Sequence, residues 1–536
     1  MKEVICLWNV LQDMYKKQYP IKMKIKYEDN LYSYYETSIY SKDPRFAYVF
    51  LITLNSGESF FYSELGLSKE YDFRLFYLTS FRLPYINKND IVFDNKSFIG
   101  SVFYQIFPER FYNGTGKKDY INREWNSLDL KGSMKNRRQD VFLGGDLKGV
   151  ISKLDYLKKI GIDVVYLTPI CTSQSNHKYD VENYFEIDKM FGKDEDLFNL
   201  TDEIHKRGMK IVLDLVFNHS SSKNEMFLDV IKNGKKSKYY DFYNIHGNKP
   251  TEFPLNYDTF GTVPEMPKLN SNNFNENDYF VDVGKYFITK FDIDGYRLDV
   301  ANEVSHTFWQ RFKYELRRIK PNIILIGENW NNASSYLHAN EFESVMNYPF
   351  MLSCKDYYVN NTIDSKQFAD RLNGLLTRYP DGNDRMMLNL LDSHDTERFY
   401  NYIKPNKDLY LLAVLTLISY IGWPMIYYGD EIFMEGGIDP DNRRGMNWDS
   451  QEFKKKYFDL FSKIVNLRKN NLFKEGDISI HSTNGLFYIE RFIGNNKITV
   501  VIKNSKNNLK YIVSKDIILS NNYENNTLKG YSFIVY

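Results

Sequence analysis

Residues 198–219 read FNLTDEIHKRGMKIVLDLVFNH, a helix-type segment closed by Gly208 and followed by a continuous apolar run that ends in polar Asn218 and His219. The same order recurs upstream, where ISKLDYLKKIG (151–161) precedes IDVVYLTPI (162–170). Helices alternating with apolar strands indicate a parallel sheet covered by helices. Counting outward from these two strands, the runs VFYQIF (102–107), FDIDGYRLD (291–299), NIILIGE (322–328), SVMNY (344–348), RMMLNLLD (385–392) and GWPMIYYG (422–429) bring the total to eight. The fold class expected is therefore α/β, a (β/α)8 TIM barrel, in which functional groups project from the C-terminal ends of different strands.

The rest of the chain is placed around that barrel. Residues 1–97 alternate aromatic runs, FAYVFLITL (46–54), FFYSELGL (60–67) and FRLFYLTSF (73–81), with polar turns, and are expected to form an N-terminal β-domain. The barrel is assigned to 98–466. The polar interval from about 220 to 277 is too long for a βα loop, so an inserted subdomain after strand 3 is expected. After LFSKIVNLRKNN (460–471) the runs DISIHS, GLFYIERF and KITVVIKN make 467–536 a C-terminal β-sandwich.

Composition narrows the partners. Lys plus Arg number 70 against 69 Asp plus Glu, which leaves no broad field for nucleic acid or an anionic membrane. The twenty uncharged residues LYLLAVLTLISYIGWPMIYY (409–428) are long enough to span a bilayer, but Gly422 and Pro424 divide them into a buried helix and a buried strand. Three cysteines, Cys6, Cys171 and Cys354, lie far apart without metal or redox spacing and read as free thiols in a reducing compartment. The opening MKEVICLWNVLQDMYKK has an early acidic residue and no small-residue cleavage signal, so a cytoplasmic location is expected.

Three strand ends carry the chemistry: Asp299 in GYRLDVANEV, Glu328 in ILIGENW and Asp395 in LLDSHDTER. Arg297 and Asp299 share one face of their strand, and a guanidinium beside a carboxylate holds it as the anion a nucleophile must be. An ion pair at a barrel rim explains them equally well. Glu328 follows an apolar strand whose desolvation favours the protonated form an acid catalyst needs; a salt-bridged strand-end acid is the plainer alternative. Asp395, beside His394, suits a group that stabilises positive charge, though a loop hydrogen-bond pair explains both. Two carboxyls flanking one bond are what glycoside hydrolysis uses. His177 and Tyr179 after strand 2, and His219 after strand 3, face the same rim as candidate binders of sugar hydroxyls and rings. Catalytic zinc is not expected, since no HExxH or Cys pair is present.

Taken in order, DLVFNH, GYRLDVANEV, GENW and SHD resemble the signature regions of the α-amylase family of glycoside hydrolases. FYQIFPERF, GGDLKG, SNHKYDVENYFEID, MPKLN and GGIDPDNRRGMNW are similar to its neopullulanase, cyclomaltodextrinase and maltogenic amylase group. The resemblance implies a retaining α-glucan hydrolase that cleaves α-1,4 and also α-1,6 bonds in maltooligosaccharides, cyclodextrins or pullulan, with no organic cofactor. It implies Asp299 as nucleophile, Glu328 as acid/base and Asp395 as transition-state stabiliser. His177, Tyr179, His219, Arg297 and His394 would bind the sugar at the cleavage point, Asp439 and Arg443 would add a contacting pair, and Trp330 an aromatic on the acceptor side. A homodimer is implied, the N-terminal domain reaching a second chain's site.

Relatives often hold calcium near the first strand, which would make Asn113, Asp119 and Asp146 the metal ligands here. Thr115 and Lys118 stand where an Asp and an Asn are usual, and an ammonium opposes a hard cation. Weak or absent calcium is expected, with Lys118 supplying the charge. The first forty residues show no clear likeness, so a trimmed or divergent N-terminal domain is expected. Two rivals remain: a noncatalytic carbohydrate-binding relative, and an oligo-1,6-glucosidase-type enzyme with the same three carboxylates.

Overall fold

The computed structural model describes residues 1–13, 17–84, 87, 96–116, 118–121, 125, 141–337, 340–380 and 382–536. Eight parallel strands close into a barrel: β1 (Phe103–Ile106), β2 (Val164–Leu167), β3 (Lys210–Leu215), β4 (Gly295–Leu298), β5 (Ile324–Gly327), β6 (Ser344–Asn347), β7 (Leu388–Leu390) and β8 (Trp423–Tyr427). β8 pairs back onto β1 through Met425 and Phe103, so the sheet has no edge. All eight strands expected from the apolar runs are present.

Side-chain alternation sorts each strand into an inward and an outward set. Phe103, Val164, Tyr166, Val212, Ile324, Ile326, Met346, Leu388, Leu390, Trp423 and Met425 form one buried cluster that fills the barrel. Ile106, Val165, Leu167, Ile211, Leu213, Leu298, Leu325 and Val345 belong to the large core under the surrounding helices. By the same parity Gln105, Asp214 and Arg297 fall in the inward set, and Asp299 and Glu328 continue it just past the ends of β4 and β5. Polar and charged groups thus cap an apolar plug at the C-terminal mouth.

The uncharged stretch 409–428 divides as expected into the helix Lys407–Ser419 and the strand β8, with Gly422 at φ +102° in the turn between them. Among the described residues no helix is long and apolar enough to cross a membrane. Cys6, Cys171 and Cys354 are buried free thiols. Between β3 and the helix Phe274–Phe291 the inserted segment contains the helix Glu225–Asn233 and isolated bridges, among them His219 with Lys268 and Thr259 with Pro267. The segment is tied to the barrel mouth beside His219.

In the N-terminal domain the strands Glu3–Val10, Phe46–Thr53 and Ser59–Ser63 form an antiparallel sheet. FRLFYLTSF is not a strand. Asp72 accepts the Arg74 amide and starts a 3-10 turn at Phe73–Leu75, which runs into a helical turn at Phe76–Thr79; only Phe81–Arg82 pairs with the sheet. The local cap overrides the aromatic β-propensity of the run. The C-terminal strands, from Asp477–Thr483 to Thr527–Val535, are hydrogen-bonded as one six-stranded sheet, the last strand being shared by three partners. Phe487, Ile489, Val500, Ile502 and Phe533 join the barrel-side core, while Leu486, Val501, Leu528 and Ile534 form a second cluster, so both sheet faces are covered.

Gly295, which starts the strand carrying Arg297, lies against β5: a Cβ there would sit 2.9 Å from the Ile324 carbonyl oxygen and closer still to its side chain. A backbone oxygen in a closed barrel has little room to yield. Gly295→Ala is expected to cost about 1–3 kcal/mol of stability, seen as a lowered Tm; an unchanged Tm would show that β4 and β5 can separate freely.

Candidate active site

The residues at the mouth are organised by one guanidinium. Arg297 is fully buried and its Nη1 donates to Asp214 at 3.0 Å and to Asp299 Oδ1 at 2.9 Å. Its Nη2 lies 2.9 Å from Glu328 Oε2 and 3.8 Å from Asp395 Oδ2. Four carboxylates from β3, β4, β5 and the loop after β7 therefore meet around one cation. Asp214, opposite Arg297 in the β3–β4 register, also accepts from the hydroxyls of Tyr166 (2.7 Å) and Tyr179 (2.9 Å).

Asp214 and Asp299 share this one guanidinium in a buried site, which disfavours their charged forms. Burial pushes Asp214 up to about 6 despite Arg297. Burial and the neighbouring Glu328 charge also push Asp299 upward, against the pull of Arg297. Arg297 alone does not hold Asp299 as an anion, because its donors are divided among Asp214, Asp299 and Glu328. Glu328 is placed by the Val300 amide, 2.9 Å from Oε2, and the Trp330 indole, 3.0 Å from Oε1. Trp330 is itself stacked on buried Tyr348 with ring centroids 3.7 Å apart.

These groups line a cavity of about 510 Å³ whose wall includes Asp299, Glu328, Asp395, His177, Tyr179, His219, Trp330, Asp439 and Arg443. Phe260 and Met266 of the inserted segment and Glu303 after β4 complete it. Arg297 and His394, expected among the sugar binders, are fully buried and stand behind this wall. The His394 ring is held from both sides, by the Gln105 amide at 3.0 Å and by the Tyr179 hydroxyl, and it stacks on the Tyr179 ring. Both touch side chains of the wall, Arg297 the carboxylates of Asp299 and Glu328 and His394 the Tyr179 hydroxyl.

His177 Nδ1 accepts the Tyr179 amide at 3.1 Å, which leaves its Nε2 as the N–H. His219 Nδ1 faces the Asn218 amide at 3.2 Å, and its Nε2 is buried without a hydrogen-bond partner among the described residues. A buried donor on a cavity wall is costly unless a ligand satisfies it; a sugar hydroxyl has the required acceptor. Burial pulls His177 down to about 4 and His219 to about 3, so both stay neutral near neutrality. Arg443 lies 3.1 Å from Asp439 and 3.4 Å from Asp395.

Of the expected calcium ligands, Asn113 and Asp146 are engaged by other groups of the chain. Asn113 is used in a local turn, accepting the amides of Thr115 (3.1 Å) and Gly116 (2.8 Å), and Asp119 is exposed. Asp146 caps a helix through the Gly149 amide at 2.7 Å, while its other oxygen accepts Thr115 Oγ1 and Lys118 Nζ, each at 2.7 Å. The same ammonium donates to the Gly144 carbonyl at 3.0 Å and the Met190 carbonyl at 3.3 Å. Among the described residues no group of three His, Cys, Asp or Glu could hold a metal. Sequence reading missed Asp214, Gln105 and Phe260. A polar residue inside an apolar barrel strand was the available signal for the first two.

The chain belongs to the α-amylase family. The family model for the alpha amylase catalytic domain matches residues 105–482 and that for the alpha amylase N-terminal ig-like domain matches 1–87. The second match corrects the expectation of a divergent N-terminus. The chain is 38% identical over 509 residues to a cyclomaltodextrinase of Thermoanaerobacter pseudethanolicus, covering 92% of this chain and 86% of that protein. It is 39% identical over 447 residues to neopullulanase 2 of Thermoactinomyces vulgaris, covering 82% and 74%. A solved cyclomaltodextrinase structure superposes with a TM-score of 0.89 at 33% identity, covering 100% of this chain and 92% of that one.

The depressed histidines have a consequence for stability. A group whose folded pKa lies below its unfolded value of about 6.5 contributes stability that is present above pH 6.5 and lost as pH falls toward the folded value. His219 therefore weakens the fold in acid by roughly 2–3 kcal/mol between pH 7 and pH 4.5. Asp214 has the opposite sign but is common to wild type and variant. The Tm of His219→Gln is expected to gain on wild type as pH is lowered over that range; a pH-independent difference would show that His219 titrates normally.

Proposed function

We propose that the protein is a retaining α-glucan hydrolase that cleaves α-1,4 and also α-1,6 glucosidic bonds in maltooligosaccharides, cyclodextrins or pullulan. The observation carrying this reading is the sharing of Arg297 by Asp299 and Glu328, which puts two carboxyls on one cavity wall within reach of a single glycosidic bond. The names of the similar proteins point to the same substrates. The α-glucan would enter the cavity with its cleaved unit held by His177, His219 and the Asp439–Arg443 pair, and its acceptor side against Trp330.

In the first step an Asp299 oxygen attacks C1 as Glu328 delivers its proton to the departing oxygen, breaking the C–O bond and leaving a glucosyl ester on Asp299. Glu328, now a carboxylate, takes a proton from water, which attacks C1 and releases Asp299. Asp395 faces the positive charge that develops on the sugar in both steps. Asp299→Asn is expected to lower turnover of maltotriose and β-cyclodextrin by roughly 10⁴-fold or more with the Tm preserved, and wild type to release glucose and maltose. Retained turnover in the variant would remove Asp299 from the role. Binding of both sugars by wild type without products would favour a noncatalytic relative.

The cation position beside the first strand we assign to Lys118 rather than to calcium. Its ammonium meets a carboxylate and two carbonyls, a set of oxygens like that a hard cation takes. Neither EDTA nor millimolar calcium is expected to move the Tm, while Lys118→Met costs about 1.5–3 kcal/mol by removing one charge-assisted hydrogen bond from Asp146. A Tm that rises strongly with calcium would overturn the assignment.

A homodimer is proposed from the N-terminal sheet. Trp8, Tyr48, Phe50, Tyr62 and Phe81 share one sheet face, in register as Trp8 with Tyr48 and Phe50 with Tyr62, and Tyr62 is 42% exposed. A half-exposed aromatic face with Tyr62 at its open edge is where an association surface would lie. Sedimentation is expected to give a dimer, and removal of the residues before Ser101 a monomer with an altered product profile. A monomeric full chain would reject the proposal.

A further inference from the structure

Asp395 is the least constrained of the three carboxylates by its own contacts, since it is carried on a loop rather than on a strand end. Its amide donates to Ser393 Oγ at 3.2 Å, and its carboxylate is approached by His394 Nε2 at 3.2 Å, Arg443 at 3.4 Å and Arg297 at 3.8 Å. What holds the loop is a residue from another part of the chain. The side-chain amide of Asn442 donates to the His394 carbonyl at 2.7 Å and to the Thr396 carbonyl at 2.8 Å, the residues on either side of Asp395. Arg443 Nε adds a bond to the same His394 carbonyl at 2.8 Å.

Asn442 is itself fixed. It is fully buried, and its backbone carbonyl accepts Arg398 Nε at 3.0 Å and the Tyr427 hydroxyl at 3.3 Å. Its Oδ1 is buried with no hydrogen-bond partner among the described residues. Turning the amide over would set that oxygen against two carbonyls, so only one orientation works. A buried acceptor left unsatisfied is a cost, and the two donors on the other branch are what the side chain gives in return.

We propose that Asn442 is the positioning residue for Asp395: its amide clamps the carbonyls on both sides of that residue and so aims the carboxylate at the cleaved glucosyl unit. The inference rests on the assignment of Asp395 as transition-state stabiliser. No sugar contact by Asn442 is involved, since it lies outside the cavity wall.

Asn442→Asp keeps the shape and removes both donors, and it is compared with Asp395→Asn on maltotriose. Displacing a catalytic group by about 1 Å is enough for a 100-fold loss. The expected result is a kcat about 100-fold lower per folded enzyme with KM close to wild type, and binding of the cationic inhibitor deoxynojirimycin weakened by a similar factor. Asn442→Ser, which cannot clash and keeps one donor, is expected to lose about tenfold in kcat and serves if the Asp variant does not fold. A wild-type kcat in a folded Asn442 variant overturns the inference, as does a raised KM with kcat and inhibitor binding intact. An active Asp395→Asn would instead remove the underlying assignment of Asp395; an inactive Asp395→Asn beside fully active Asn442 variants would refute the clamp alone.

Discussion

A single buried cation, Arg297, sets what the barrel mouth can do. Without it, Asp214, Asp299, Glu328 and Asp395 would be a cluster of buried negative charges that could persist only by neutralisation. With it, Asp214, Asp299 and Glu328 each lie within 3.0 Å of one of its nitrogens and Asp395 within 3.8 Å. Covalent glycoside hydrolysis needs two carboxyls at one bond, one ionised and one protonated. The Tyr166 and Tyr179 hydroxyls on Asp214 and the Val300 amide on Glu328 take up remaining acceptors, which orients the carboxylates.

The guanidinium can occupy that position only because the barrel is closed and filled. The apolar layer from Phe103 to Met425 forms a floor, and the inward parity of β3 and β4 sets Asp214 and Arg297 directly above it. Around this centre a second tier fixes the side chains at the cavity. Gln105 and Tyr179 hold His394, Tyr348 backs Trp330, and Asn442 clamps the loop of Asp395. The cavity side chains are thus supported by residues that do not touch it, as precise placement requires.

Much of this was legible in the sequence. The eight strands could be read because parallel barrel strands are buried on both faces and appear as continuous apolar runs. Asp299 and Glu328 could be read because they stand where those runs end, whereas Trp330, Asp439 and Arg443 were legible only through the resemblance to the α-amylase family. Less legible were contacts between distant segments. Asp214 sits inside DLVFNH and reads as part of a strand until its register with Arg297 is known, and Asn442 lies 47 positions from Asp395 by their numbering. Local capping also escaped, since a single Asp72 turned FRLFYLTSF from a strand into helical turns. The placement of Arg297 and His394 behind the cavity wall depends on burial, which a motif does not encode.

The account stands on Asp299 forming a covalent bond to the sugar under the control of Arg297. Incubation with 5-fluoro-α-glucosyl fluoride, followed by proteolysis and mass spectrometry, reads that bond directly. The account predicts a fluoroglucosyl adduct on the peptide containing Asp299, released by water on standing. An adduct on Glu328 or Asp395, or turnover without any adduct and with inversion at C1, would contradict it.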